Sequence, residues 1–140
     1  MLSTLTALIV YGLAATDAPD RQPGVEQSSI FVSGQGGYHT YRIPALMVTR
    51  SGTLLAFCEG RKHSSSDTGD IDLLLRRSVD GGKTWGKTQV VWDDGPNTCG
   101  NPCPVLDART GAIRLLLTHN LGTDSEAAIV NGTSQGTRTV

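Results

Sequence analysis

Ser78-Val79-Asp80-Gly81-Gly82-Lys83-Thr84-Trp85 fits the pattern S-x-D-x-G-x-T-W at every fixed position. An aspartate in such a turn can accept hydrogen bonds from the backbone amides that follow it, glycines permit positive φ, and the tryptophan covers the apolar base. The stretch reads as a fold-specifying hairpin, with Ser78, Asp80, Gly82, Thr84 and Trp85 as its structural positions. On both sides of it lie apolar runs of strand length: Ser29 to Ser33, Ile43 to Thr49, Thr53 to Glu59, Ile71 to Ser78, Thr88 to Trp92, Val105 to Ala108 and Ile113 to Thr118. Turn signals separate them, among them Ser51-Gly52, Asp94-Gly95-Pro96, Thr110-Gly111 and Asn131-Gly132, and no window carries a sustained 3.6-residue apolar stripe. With 17 glycines among 140 residues and only 5% aromatics, the expected class is all-β, built of antiparallel hairpins.

Two segments repeat one plan. Ile43-Pro44-Ala45-Leu46-Met47-Val48-Thr49-Arg50-Ser51-Gly52 leads into Thr53-Leu54-Leu55, and Cys103-Pro104-Val105-Leu106-Asp107-Ala108-Arg109-Thr110-Gly111 leads into Ala112-Ile113-Arg114-Leu115. Each is a proline-led strand, an Arg-[Ser/Thr]-Gly turn and an apolar return strand. Pro44 and Pro104 lie about 60 residues apart, enough for one four-stranded blade with generous loops. That spacing predicts a β-propeller of which the chain holds about two blades, with the last edges unpaired and the sequence cut at Val140. A two-hairpin sandwich is the alternative.

The bulk properties narrow the function. Lys plus Arg number 12 against 13 for Asp plus Glu, a net charge of -1, which gives no electrostatic footprint for nucleic acid or an anionic membrane. Cys58, Cys99 and Cys103 are too few for a disulfide scaffold; Cys99 and Cys103 resemble half a zinc site but have no partner cluster, so no metal is expected. Residues 1–15 have the apolar length and small-residue ending of a signal-peptide core, too short to span a bilayer and without a preceding Lys or Arg. The compartment follows from that segment: extracellular or periplasmic if it is a signal peptide, otherwise lysosomal, membrane-associated or cytoplasmic. Residues 16–27 read as a polar linker, and the folded domain is placed at 28–140.

Tyr41-Arg42-Ile43-Pro44 resembles the [Tyr/Phe]-Arg-Ile-Pro signature of exo-α-sialidases, and the hairpin at Ser78 to Trp85 resembles their Asp-box. The resemblance extends through Cys58-Glu59-Gly60-Arg61, Ser64-Ser65-Ser66-Asp67, Leu75-Arg76-Arg77-Ser78 and Asn101-Pro102-Cys103-Pro104, from about Ser29 to Asn120. It implies a six-bladed propeller of which this chain is the N-terminal part. It also implies hydrolysis, with retention, of terminal α-linked sialic acids on glycoproteins, glycolipids and oligosaccharides, without metal or organic cofactor. A non-catalytic glycan-binding propeller, or an inactive or structural fragment, is the other reading.

Sialic acid carries a carboxylate on its anomeric carbon, and a guanidinium fork matches a carboxylate as Lys cannot. By resemblance Arg42 is the first of three arginines that clamp it, and Arg61 contacts the hydroxyl side of the ring. Proton delivery to the leaving oxygen suits a tuned carboxyl group. Asp67, Asp70 and Asp72 are equally eligible on sequence alone, and the resemblance through Ser64-Ser65-Ser66-Asp67 selects Asp67. Asn101 matches a position lining the sugar pocket. The family's nucleophile is a Tyr, which with its Glu partner and two further arginines is expected from later blades. Arg114 and Arg138 are not expected among them.

Overall fold

The computed structural model describes residues 27–140, so the apolar stretch 1–15 and all but the last residue of the linker lie outside the described residues. Six strands follow, β1 (Thr40–Val48), β2 (Leu54–Arg61), β3 (Ile71–Ser78), β4 (Gln89–Trp92), β5 (Thr98–Leu106) and β6 (Ile113–Asn120), and one short helix, α1 (Glu126–Val130). The first four form an antiparallel meander in which β2 lies between β1 and β3, and β4 pairs with β3 along Leu73 to Leu75. β5 and β6 form the next hairpin, tied to the meander's sheet by one parallel pair, Ile71 with Thr98. β5 also packs against β1 and β2 without pairing with either. This is a propeller in part: one four-stranded blade, the inner hairpin of a second leaning on its face, and an isolated bridge from His119 to Thr139.

The core follows from this stacking. A central strand covered on both faces loses the in-out alternation, and β2 is buried from Leu55 through Arg61, as is β3 from Ile71 through Leu74. Leu73 and Leu74 are fully enclosed, and truncating either to Ala removes roughly 2–5 kcal/mol. On the second hairpin Val105, Ile113 and Leu116 keep exposed surface.

The turns obey the sequence. Thr49 N–H donates to Thr53 O and Gly52 N–H to Thr49 O, while Asp107 N–H donates to Ala112 O and Gly111 N–H to Asp107 O. Gly52 and Gly111 both take positive φ, 83° and 77°, which closes each turn. The blade repeat is nevertheless offset from the one read above. Both inner strands carry a β-bulge, between Arg42 and Ala45 in β1 and between Gly100 and Cys103 in β5, and the bulged residues Ile43 and Asn101 are the described non-glycine residues with positive φ, 53° and 51°. Pro44 is therefore equivalent to Pro102, not to Pro104.

Three further expectations change. Ser29 to Ser33 is not a strand: it has no ladder partner and is held by side chains, with Phe31 against Tyr41 at 5.2 Å between ring centroids and Arg76 donating to the Ile30 carbonyl. The strand expected at Val105 to Ala108 begins at Thr98, because the bulge absorbs Pro102 within the strand. The helix α1 is too short to show a periodic stripe; Ser125 caps it by accepting from the Ala128 amide.

Candidate active site

The hairpin at Ser78 is the structural device its residues suggested. Ser78 Oγ donates to Asp80 Oδ1 at 2.8 Å and accepts from the Gly82 amide at 2.9 Å, and the Thr84 amide and hydroxyl both donate to the Asp80 carboxylate. These bonds, the Thr84 hydroxyl first, hold the Asp80 carboxyl at about 2, from the ordinary 3.8. Gly81 and Gly82 take φ of 73° and 90°, and Arg76 fastens the hairpin's base by donating to the Gly86 and Trp85 carbonyls. The hairpin lies at the Ser78 end of β3; the opposite end, at Ile71, is about 20 Å away along an eight-residue strand.

At that opposite end the strands deliver a polar cleft of about 230 Å³, lined by Ile43, Glu59, Arg61, Asp67, Asn101 and Arg138 among others. Arg42 faces Glu59 across the β1–β2 ladder, and its Nη1 lies 2.8 Å from Asp67 Oδ1. Arg61, at the end of β2, brings its Nη2 to 2.8 Å from the same oxygen. Asp67 thus stands at the mouth of the cleft, its side chain 61% exposed, between two guanidinium groups from different strands. The hydrogen bond from Arg61 chiefly, with the charge of Arg42 added, holds its carboxyl below the usual carboxylate range.

Arg61 is almost fully buried, and all its nitrogens are engaged. Nε and Nη2 donate to Glu59 Oε2 at 3.1 and 2.6 Å, and Nη1 donates to the carbonyls of Ser65 and Ser66 at 2.7 and 2.8 Å. The guanidinium therefore shapes the loop that carries Asp67. Asn101 sits on the β5 bulge; its amide N–H donates to Glu59 Oε1 at 3.0 Å and its side-chain nitrogen to Thr118 Oγ1 at 2.7 Å. Ile43, a β-branched residue at positive φ, marks strain of about 1–3 kcal/mol beside the cleft.

The other two carboxylates of the loop lie elsewhere. Asp70, Asp72 and Asp93 converge on Lys62, whose Nζ is 2.9, 3.3 and 3.4 Å from them, and Tyr38 donates to Asp72 at 2.6 Å. Their oxygens lie within 4.8 Å of one another, the spacing of a metal-ligand set, but the Lys62 ammonium already supplies the positive charge there. Neither Asp70 nor Asp72 lines the cleft. Cys58 and Cys99 are buried, with thiols pushed up to about 12 and about 11 by desolvation, whereas Cys103 is exposed. His63 is exposed, His39 is bonded to Thr40, and His119 stacks on Trp92 and bonds Asp94.

Several cleft-lining residues were not placed there by sequence reasoning, and two of them are charged groups in direct contact with the residues above. Arg138, set aside above, lines the cleft and donates to Thr118 Oγ1, whereas Arg114 is exposed on β6. Glu59 is wholly buried in it. Its signal was available: residues i and i+2 of a strand share a face, so Glu59 and Arg61 had to point the same way.

No family model matches the chain. An exo-alpha-sialidase of Arthroderma benhamiae is 42% identical over 96 residues, covering 64% of this chain and 23% of the relative. A sialidase of Micromonospora viridifaciens is 40% identical over 100 residues, 68% of this chain and 15% of the relative. Among solved structures, the Hadza microbial sialidase Hz136 superposes with a TM-score of 0.63 at 30% identity, over 71% of this chain and 21% of that one. The chain thus spans less than a quarter of each of these relatives.

Proposed function

We propose, for a chain homologous to the N-terminal part of the sialidases, that the whole protein is an exo-α-sialidase whose carboxylate-binding and proton-transfer groups are partly carried here. The single observation behind this is the Asp67 carboxylate at the mouth of a polar cleft, between Arg42 and Arg61. The substrates are sialylated glycoproteins, glycolipids and oligosaccharides.

Arg42 takes the sialic acid carboxylate. Its side chain is 45% exposed and lies where an incoming carboxylate competes with Asp67 for the same fork. That competition readies Asp67 to act as an acid. With two guanidinium groups beside it, Asp67 is a carboxylate; once the substrate's own carboxylate neutralises Arg42, the proton affinity of Asp67 rises, it takes up a proton from solvent, and it passes that proton to the leaving oxygen. It then accepts a proton from the attacking water. Arg61 contacts the hydroxyl side of the ring when Asp67 swings from it, and Asn101 lines the sugar pocket.

The nucleophile is a tyrosine, and a neutral one avoids repulsion from the substrate's carboxylate. Tyr38 and Tyr41 are not candidates, because their hydroxyls are spent on Asp72 and on the Gln35 carbonyl. By the family resemblance the tyrosine, its glutamate partner and two more arginines come from later blades, and attack through a covalent intermediate gives retention.

The test is to follow sialyl-lactose hydrolysis by the full-length protein with proton NMR. The α-anomer of free sialic acid should appear first and mutarotate later. First appearance of the β-anomer contradicts retention, and binding without hydrolysis identifies a glycan-binding module.

A further inference from the structure

We propose that Glu59 is the positioning residue of this site: its carboxylate fixes Arg61 on β2 and the Asn101 amide on β5, and so sets where Asp67 stands against the second blade. The catalytic part of this inference rests on the sialidase reading above; the positioning part rests on geometry alone.

Glu59 is 3% exposed, and its two oxygens serve different blades. Oε2 takes Nε and Nη2 of Arg61, while Oε1 takes the Asn101 N–H at 3.0 Å. Around it, β5 passes close: a Cβ at Gly100 would press on Oε1, which the Asn101 amide holds from the same strand, so the Glu59 carboxylate would have to shift. The bond to Asn101 also falls on a residue held at φ 51°, and such strain persists only where the surroundings over-determine it. A buried ion pair on its own is weak evidence of stabilisation, since apolar replacements are often as stable. This pair differs in where it leads. The far side of the same guanidinium reaches the Ser65 and Ser66 carbonyls and Asp67, so the Asp67 loop inherits its place from Glu59 through Arg61.

Removing the charge of Glu59 leaves Arg61 with Asp67 as its remaining carboxylate. The other charged groups around Asp67 are Arg42 of β1 and, across the cleft, Glu126 of α1 and Arg138. Asp67 is then held more firmly as a carboxylate, and the pH profile of kcat/KM moves to lower pH.

The experiment compares Glu59→Gln and Gly100→Ala in the full-length protein. The second changes no titratable group but drives a methyl against Oε1. Both should lower kcat for sialyl-lactose about 100-fold, the cost of a displaced catalytic group, with little change in KM. Both should also strip hydrogen-exchange protection from the Ser66 and Thr68 amides, which donate to Ser64 Oγ and Ser66 Oγ, while those of Gly82 and Thr84 keep theirs, and Glu59→Gln should shift the pH profile acidward. Folded variants with wild-type turnover and equally protected Ser66 and Thr68 amides overturn the proposal, as does a fall in melting temperature with an unmoved pH profile and no loop-specific exchange. Should Glu59→Gln not fold, Gly100→Ala decides by the same readouts. If the wild-type protein cleaves no sialoside, the sialidase reading fails, and the exchange contrast still decides for or against Glu59.

Discussion

Two aspartates near opposite ends of β3 are both held as carboxylates, and they are held in opposite ways. Asp80 is fixed by Ser78 and Thr84, neighbours within four residues, so its geometry is complete as soon as the hairpin forms. Asp67 is fixed by Arg61 and by Arg42, the latter 25 residues away, so its geometry exists only once β1, β2 and the loop after β2 are assembled. A carboxylate satisfied by its own turn has nothing left to do to a substrate. One held between a buried arginine and an exposed one can be released on its exposed side, where Arg42 is open to another carboxylate, and a releasable carboxylate is what proton transfer needs.

The contrast breaks most sharply on activity. In the full-length protein Asp67→Ala should lower kcat for an unactivated sialoside by about 10³-fold while the protein still melts cooperatively, because general acid-base groups contribute about 10²–10⁴. Asp80→Ala should do the reverse, lowering the melting temperature and leaving kcat of the folded protein unchanged. Equal kinetic losses from the two would erase the distinction. A smaller effect comes from Arg42→Lys, which keeps the charge and loses the fork: KM should rise about 10-fold, the equivalent of one charge-assisted hydrogen bond of about 1.4 kcal/mol, with kcat less affected. An unchanged KM would remove Arg42 from carboxylate binding.

The smallest expected effect is on acid stability. Asp80 is depressed in the folded protein, so its contribution is fully present above the ordinary 3.8 and is lost as pH falls toward about 2. Melting curves between those limits should lose part of their pH dependence in Asp80→Asn. Asp67 is depressed in the same direction, but its pair with Arg42 is exposed, and its share should fade in high salt while that of Asp80 persists.

The same division separates what the sequence discloses from what only the fold brings together. The Asp-box, the two glycine turns and the all-β class were legible because each depends on residues a few positions apart. Arg42, Asp67 and Asn101 were singled out by resemblance; residue chemistry alone left Asp67 level with Asp70 and Asp72, and the fold sends those two to Lys62 and away from the cleft. Glu59 was visible as a neighbour of Arg61, but its burial and its reach to Asn101 depend on how β5 leans on β2. The bulges at Ile43 and Asn101 were hidden because an X-Pro pair reads as an extended dipeptide or a turn, and they shift the blade repeat from Pro104 to Pro102. Arg138 escaped because nothing local marks a residue that enters a site beside Thr118.

If Asp67 delivers a proton to the leaving oxygen, its loss must weigh differently on sialosides with poor and good leaving groups. A natural sialoside needs that proton, whereas a nitrophenyl sialoside departs without it. Asp67→Ala should therefore cost about 10³-fold on sialyl-lactose and less than about 10-fold on nitrophenyl sialoside. Equal losses on both substrates, or none on sialyl-lactose, would show that Asp67 is not the acid of this site.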